Sequence, residues 1–141
     1  MSAEIFFYSE DVDFTIKNPS GIASWLNKTI VSEGKKTGDI SVIFCSDEHL
    51  LGMNKKHLNH DYYTDIITFD YSQENLISGD LFISIDRVKD NSVSFGASFL
   101  NELHRVVVHG VLHLCGYSDK TPEQSATMRE KENFYLSLLS V

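Results

Sequence analysis

The sequence predicts an α+β fold in which one small mixed four-stranded sheet packs with about five helices. Short apolar segments suited to strands are interleaved with longer segments whose apolar residues recur at helical spacing. No internal repeat and no linker-like stretch divides the chain. It has 141 residues, of which 42% are hydrophobic, and this supplies one core and excludes intrinsic disorder. We therefore expect a single domain over residues 1–141.

The first part of the chain is predicted to form a strand, a helix and a second strand. Residues 4–8 are a short apolar strand candidate. A helix begins at Asn18 and Pro19, because asparagine caps helix N-termini and proline is tolerated in the first turn. Apolar residues recur at helical spacing up to Gly34, and alternating apolar residues over 40–44 predict the second strand.

The rest of the chain is predicted to be richer in helix. Ser46 caps a helix that runs to about Leu58. Further strands are expected at 66–69 and 81–85, and further helices at 86–92, at 97–114 and from Thr121 onward. The last helix is expected to bury an apolar face formed by Met128, Phe134, Leu138 and Leu139.

The charge of the chain argues against non-specific binding of nucleic acids. Twelve Lys and Arg residues stand against twenty Asp and Glu residues, so the formal net charge is −8. A field of that sign repels phosphate backbones at long range. An RNA or DNA substrate would therefore need a local basic patch or a metal ion to hold it.

The sequence also favours a cytoplasmic protein without a membrane partner. No apolar run approaches the ~20 residues that a membrane-spanning helix needs. The N-terminal segment carries Glu4 where a signal peptide would have a basic residue. Two cysteines, Cys45 and Cys115, are too few for a disulfide framework and fit a reducing compartment, with both side chains in the core.

The most informative segment is HGVLHLCGYSD at residues 109–119. His109 and His113 are four residues apart, so on a helix both imidazoles can point at one ion. Gly116 accepts the left-handed conformation that ends helices, which lets the chain turn back and bring Asp119 to the same ion. Two imidazoles, one carboxylate and a water in the fourth position describe a catalytic zinc site.

Two other interpretations of this segment are weaker. One is a buried helix with two core histidines and an Asp119 on the surface. The other is a structural zinc site, which usually has four protein ligands, often thiolates. Cys115 lies around the opposite side of the helix from His113 and is expected in the core. His104 lies about 140° around the helix from His109, which argues against ligation.

The same spacing occurs in zinc peptidases of the HExxHxxGxxH/D type. Those enzymes need a glutamate directly after the first histidine as the general base. This chain has Gly110 there, which has no side chain to act as a base. A zinc peptidase is therefore the second choice.

The segment resembles the signature HGxLHLxGYDH of the YbeY family of bacterial endoribonucleases, also called rRNA maturation factors. That signature is followed by a methionine and an acidic residue, and Met128 and Glu132 occupy a similar region here. TDIITF at 64–69 resembles the family's TDVLSF, and GDLFIS at 79–84 resembles its GDIxIS. The resemblance covers roughly residues 40–135 in the right order.

The resemblance implies a small mixed sheet flanked by helices and one zinc ion held by His109, His113 and the residue at position 119. It implies cleavage of single-stranded RNA, maturation of the 3′ end of small-subunit (16S) rRNA, and a part in ribosome quality control. Ribosomal proteins or an assembly GTPase are the partners that it implies.

The chain departs from the family pattern at two positions. Asp119 stands where the family usually has histidine, and an anionic ligand makes the ion a weaker Lewis acid. The family also often has an arginine six residues before the TD pair, proposed to act on the scissile phosphate, and Leu58 occupies that position. This second departure favours a third hypothesis, a non-catalytic ribosome-assembly factor that keeps the zinc site.

Residues near Leu58 are candidates for binding the substrate. The side chains that could neutralise phosphate are Lys55, Lys56, His57 and His60. For each of them taken singly, a solvated helix end is the slightly favoured interpretation. Tyr62 and Tyr63 are candidates for stacking on unpaired bases. Asp65 and Asp80 could orient the metal histidines or cap turns. The general base is not identified by the sequence.

Overall fold

A computed structural model describes residues 5–58 and 63–139, with only the backbone described for His57 and Leu58. The elements follow in the order β1 Ile5–Ser9, α1 Pro19–Ser32, β2 Lys36–Cys45, α2 Asp47–Leu58, β3 Ile66–Asp70, β4 Leu76–Ser84, α3 Ile85–Phe95, α4 Phe99–Leu114 and α5 Pro122–Ser137. The predicted α+β fold with a mixed four-stranded sheet and five helices is confirmed for these residues.

The sheet has the strand order β1-β2-β4-β3. β1 pairs with β2 and β2 pairs with β4 in parallel, whereas β3 runs antiparallel to β4 along one edge. Successive side chains of a strand point to opposite faces, so the sheet separates two apolar clusters. The larger one packs α1 and α4 against residues such as Val42 and Leu81, and the smaller one packs Leu50 of α2 against Cys45 and Ile67.

Two strands extend further towards their N-terminal ends than the sequence predicts. β2 begins at Lys36 and β4 at Leu76, and these two residues are partners in the sheet register. The added segments carry polar residues and pair through backbone hydrogen bonds. Such pairing does not require alternating apolar side chains, so the sequence pattern does not indicate it. The predicted strand at 81–85 is also one residue too long, because the Ser84 hydroxyl caps α3 by accepting from the amide of Arg87 at 3.0 Å.

The predicted apolar face of α5 is wrong in part. Phe134 and Leu138 are 53% and 59% exposed, whereas Met128, Glu132 and Tyr135 form the buried face. Leu139 is half-buried against the core. Hydrophobic spacing misassigned this helix because its buried face includes a carboxylate, which is stabilised there by ionic partners from α4.

Both cysteines lie in the core, as predicted. Cys45 is fully buried and Cys115 packs half-buried against the larger cluster. Burial raises the pKa of the Cys45 thiol to about 12 and that of Cys115 to about 11, so neither is a reactive thiolate at neutral pH. No helix in the described part of the chain is long and apolar enough to cross a membrane.

Candidate metal centre

The two histidines of the motif lie on one face of α4. Their ring centroids are 4.6 Å apart, with the planes inclined at 79°. The helix ends at Leu114, and Gly116 with φ of +109° adopts a backbone conformation that disfavours residues with a Cβ. The chain then reverses, and the hydroxyl of Ser125 in the first turn of α5 donates to the Asp119 carbonyl at 3.1 Å.

This turn places the carboxylate of Asp119 beside both imidazoles. Its Oδ2 lies 3.3 Å from Nε2 of His109 and 3.6 Å from Nε2 of His113, and one potential ligand atom from each residue lies within 4.8 Å of the others. Two ligands at ordinary zinc bond lengths in a tetrahedron are about 3.4 Å apart. The donor set and its spacing therefore fit one divalent transition-metal ion. The structure brings together all three predicted ligands.

Glu132 of α5 fixes the orientation of His109. Its Oε2 lies 2.6 Å from Nδ1 of that ring, and its Oε1 lies 3.0 Å from the guanidinium of Arg105. Glu132 is only 5% exposed. A carboxylate at Nδ1 holds the proton on that nitrogen, so Nε2 keeps its lone pair facing Asp119 and His113.

The charges around the two imidazoles shift their pKa values in opposite directions. Burial by itself lowers the pKa of His109, but the hydrogen bond and charge of Glu132, with Asp119 and Asp65, raise it overall. Burial and the neighbouring His109 lower the pKa of His113. Burial opposes the charged form of Glu132, yet its bonds to His109 and Arg105 lower its pKa overall. Glu132 is therefore an ionised carboxylate throughout the neutral range.

We call His109, His113 and Asp119 the metal cluster. A cleft of about 480 Å³ opens in front of it, and we call this cleft the β3 cleft. One wall is the edge strand β3 with the residues just before it, and the opposite wall is the cluster itself. Its lining residues are Asn54, Thr64, Asp65, Ile66, Ile67, Thr68, Asp70, His109, His113 and Asp119. Among these described lining residues there is no Lys or Arg.

The structure separates the two aspartates that the sequence suggested as supports for the histidines. Asp65 borders the cleft together with His109 and Asp119, and burial raises the pKa of its carboxyl. Asp80 instead accepts a hydrogen bond from the Tyr71 hydroxyl at 3.2 Å. Of these two aspartates, Asp65 therefore lies near the cluster and Asp80 does not.

The predicted substrate contacts lie on or after the C-terminal half of α2. Lys55 and Lys56 have exposed side chains next to Asn54, which lines the β3 cleft. The side chain of His57 and the whole of His60 and Tyr62 lie outside the described residues.

Tyr63 is 48% exposed but already has two partners. Its hydroxyl donates to Glu48, and the guanidinium carbon of Arg87 lies 5.5 Å from the ring centroid. These contacts hold one side of the ring against α2 and α3, which leaves less of it to stack on a base.

The position that carries the base in zinc peptidases has a packing role here. Gly110 is buried, and a Cβ built on it would lie 2.7 Å from Cδ1 of Ile66 and 3.0 Å from Cδ1 of Leu81. A side chain at this position would therefore collide with the side chains of Ile66 in β3 and Leu81 in β4. His104, as predicted, is separate from the cluster, 4% exposed with its ring 6.2 Å from that of Trp25.

Sequence reasoning missed the supporting roles of Glu132 and Arg105. The signal for Arg105 is its spacing, since it lies one turn before His109 on the same face of α4. The family resemblance singled out Glu132 as the acidic residue after the methionine, but no local pattern indicated its burial, which follows from contacts across two helices.

Comparison with known proteins points to one family. The family model described as "Endoribonuclease YbeY" matches residues 6–140. A protein of that name from Parabacteroides distasonis is 50% identical over 135 residues, which cover 96% of this chain and 95% of that protein. Another from Bacteroides thetaiotaomicron is 53% identical over 114 residues, covering 81% of this chain and 83% of the relative.

A solved structure shares the fold. The solution structure of TM1509 from Thermotoga maritima aligns with a TM-score of 0.69 at 26% identity, covering 96% of this chain and 89% of that one. The alignment therefore spans the sheet and the helices that carry the histidine cluster.

Proposed function

The chain belongs to the YbeY endoribonuclease family, and on this basis we propose that it is a metal-dependent hydrolase that cleaves single-stranded RNA. The observation that carries the proposal is the convergence of His109, His113 and Asp119 at the side of an open cleft. We further propose that residues 1–141 act as one catalytic domain.

We propose one Zn²⁺ per chain, held by His109, His113 and Asp119, because two imidazoles and a carboxylate form a catalytic zinc donor set. When bound, the ion would polarise a water or a phosphate oxygen and stabilise the negative charge of the pentavalent transition state. It would also place a positive centre in a protein of net charge −8. Glu132 keeps the Nδ1 proton of His109 in place, while Asp65 supplies a carboxylate of raised pKa at the cleft.

We propose the 3′ end of the small-subunit (16S) rRNA as the substrate, with processing and ribosome quality control in the cytoplasm as the setting. Ribosomal proteins or an assembly GTPase would deliver the RNA. The support is membership of the family together with the net negative charge, which disfavours capture of free RNA at a distance. A partner that presents the RNA would overcome that repulsion.

Lys55, Lys56, His57 and His60 remain our candidates for contacts with the substrate backbone. Lys55 and Lys56 support this by their exposure beside Asn54 at the β3 cleft. Alanine replacement of a lysine that contacts a phosphate should weaken RNA binding equally for all sequences.

A non-catalytic assembly factor is the second candidate, and the acidic lining of the β3 cleft favours it. Asp65, Asp70 and Asp119 line that cleft, and its described lining residues include no Lys or Arg. Such a factor would bind metal and associate with the ribosome without cleaving RNA. Loss of ribosome association with intact metal binding would count against it.

The proposed function is tested with end-labelled precursor RNA that carries the 3′ end of the small-subunit rRNA. The zinc-loaded protein should cut the single-stranded form and leave a matched duplex intact. A chelator should abolish cleavage, and added Zn²⁺ should restore it. Binding of metal without cleavage of either form would favour the assembly factor instead.

A further inference from the structure

A second cleft, of about 310 Å³, adjoins the metal cluster on the side away from β3. We call it the α3–α5 cleft, because α3, α4 and α5 form its walls. It shares Asp65, His109 and Asp119 with the β3 cleft. The cluster therefore lies between two open clefts, and a strand that crosses it can extend in both directions.

The α3–α5 cleft contains the cations that the described lining of the β3 cleft lacks. Arg105 and Arg129 both line it. The side chain of Arg105 is 18% exposed and is held by Glu132 at 3.0 Å and by Asn133 at 2.8 Å. The side chain of Arg129 is 57% exposed and lies 3.8 Å from Glu132.

These two arginines therefore have different tasks. Both approach Oε1 of Glu132, whose other oxygen is bound to His109. Arg105 satisfies that oxygen at the shorter distance, so the contact of Arg129 with Glu132 is longer and screened by solvent. The guanidinium of Arg129 is thus positioned beside the cluster and can turn towards an anion.

An aromatic ring and an amide border the same cleft. Phe95, near the end of α3, lines it with 63% of the residue exposed, and Asn91 lies one helical turn earlier. An exposed phenyl ring stacks on unpaired bases, and an amide can hydrogen-bond to a base edge. Guanidinium, aromatic ring and amide are together the groups that bind a nucleotide in a single strand.

We infer that the α3–α5 cleft binds a nucleotide adjoining the scissile phosphate, with Arg129 on its phosphate and Phe95 stacked on its base. This inference rests on the proposed function and extends it to a subsite. It relies on the two guanidinium groups of the α3–α5 cleft, which the lining of that cleft combines with the carboxylates of Asp65, Glu102, Asp119 and Glu132. It also adds a phosphate contact on α5 to the candidate backbone contacts on and after α2.

The test is a binding measurement separate from cleavage. The probe is a fluorescein-labelled single-stranded oligouridylate with 2′-O-methyl riboses, and its anisotropy is titrated with zinc-loaded protein at several salt concentrations. Arg129→Ala should weaken binding and make the slope of log K against log salt shallower by about 0.7. Arg129→Lys should restore most of that slope. Phe95→Ala should weaken binding roughly 5- to 100-fold with an unchanged slope.

Two control variants match these changes elsewhere on the surface. Lys28→Ala removes one positive charge beside Trp25 and Tyr135, at a different cleft. Phe134→Ala removes an aromatic ring of comparable exposure, 53%, from α5. Both should bind the probe as the wild type does. Thermal melting of each variant shows whether the fold is intact.

The outcomes separate this inference from the proposed function. If the wild type cleaves RNA and both variants bind and cleave like the controls, the subsite is refuted and the function stands. If the wild type binds but does not cleave, and only Arg129→Ala and Phe95→Ala lose binding, the subsite stands and the function fails. If the wild type neither binds nor cleaves RNA, both are wrong.

Discussion

Glu132 links the metal cluster to the core at the scale of single residues. It is almost fully buried and bound to His109 at 2.6 Å, so its loss frees that imidazole to rotate and to change tautomer. We expect Glu132→Gln to weaken zinc affinity by about tenfold or more, measured by competition with a chromophoric chelator. Glu130→Gln, an exposed change on the same helix, is the control. Equal affinity in the two variants would contradict this positioning role.

His104 makes the stability of the fold depend on pH. Burial lowers its pKa below the ordinary value of 6.5. As the pH falls, the unfolded chain therefore takes up this proton before the folded chain does. The stability contributed by the neutral ring is complete above about pH 6.5 and is lost as the pH falls towards the folded-state pKa.

A variant isolates this pH effect. The free energy of unfolding from urea titrations should fall less steeply between about pH 7 and about pH 5 in His104→Gln than in the wild type. The other histidines are present in both proteins, so their contributions largely cancel in the difference. Parallel pH profiles would show that His104 carries no such linkage.

At the scale of elements, the turn after α4 decides whether Asp119 reaches the histidines. Gly116 has a φ of +109°, a conformation that a Cβ makes unfavourable, so Gly116→Ala should lower the free energy of unfolding by about 1–2 kcal/mol. It should also weaken zinc binding. Gly52→Ala is the matched change, because Gly52 is exposed inside α2 with nothing near its Cβ position.

These two substitutions are expected to have opposite signs. Gly52→Ala should raise the free energy of unfolding by about 0.5–1 kcal/mol, since alanine loses less backbone entropy in a helix. Thermal melting and urea titration measure both changes. Stabilisation by Gly116→Ala would refute the strained turn.

The elements themselves could be predicted well from the sequence, because their apolar periodicity and caps are local. Asn18, Ser46 and Thr121 each accept a hydrogen bond from an amide three residues later, as their capping positions predict. The misassigned face of α5 had a non-local cause. Glu132 is buried there because partners on α4 reach it from 23 and 27 residues away.

The contacts that anchor the turn between α4 and α5, which carries Asp119, also could not be predicted from the sequence. Glu33 at the end of α1 accepts hydrogen bonds from Tyr117 at 2.7 Å, from Lys131 at 3.1 Å and from Tyr135. Burial opposes ionisation of Glu33, but these donors lower its pKa overall. The three contacts join α1, the turn and α5 across 84 to 102 residues of sequence. A local sequence pattern cannot indicate contacts between residues so far apart.

At the scale of the whole molecule, metal binding should stabilise the fold. A ligand that binds only the folded chain adds about 2.7 kcal/mol at a free concentration of one hundred times its Kd. We therefore expect Zn²⁺ to raise the melting temperature of the wild type and chelation to reverse the rise. His113→Ala should show a much smaller shift. Equal shifts in both proteins would mean that the ion binds elsewhere.

Cleavage of a labelled single-stranded RNA by zinc-loaded protein tests the central claim most directly. His113→Ala and the control His49→Ala, a change in α2, are purified in the same way. Wild type and His49→Ala should cleave the RNA at the same position, and His113→Ala should not. Cleavage by all three proteins alike, or by none of them while the wild type holds zinc, would contradict a nuclease centred on His109, His113 and Asp119.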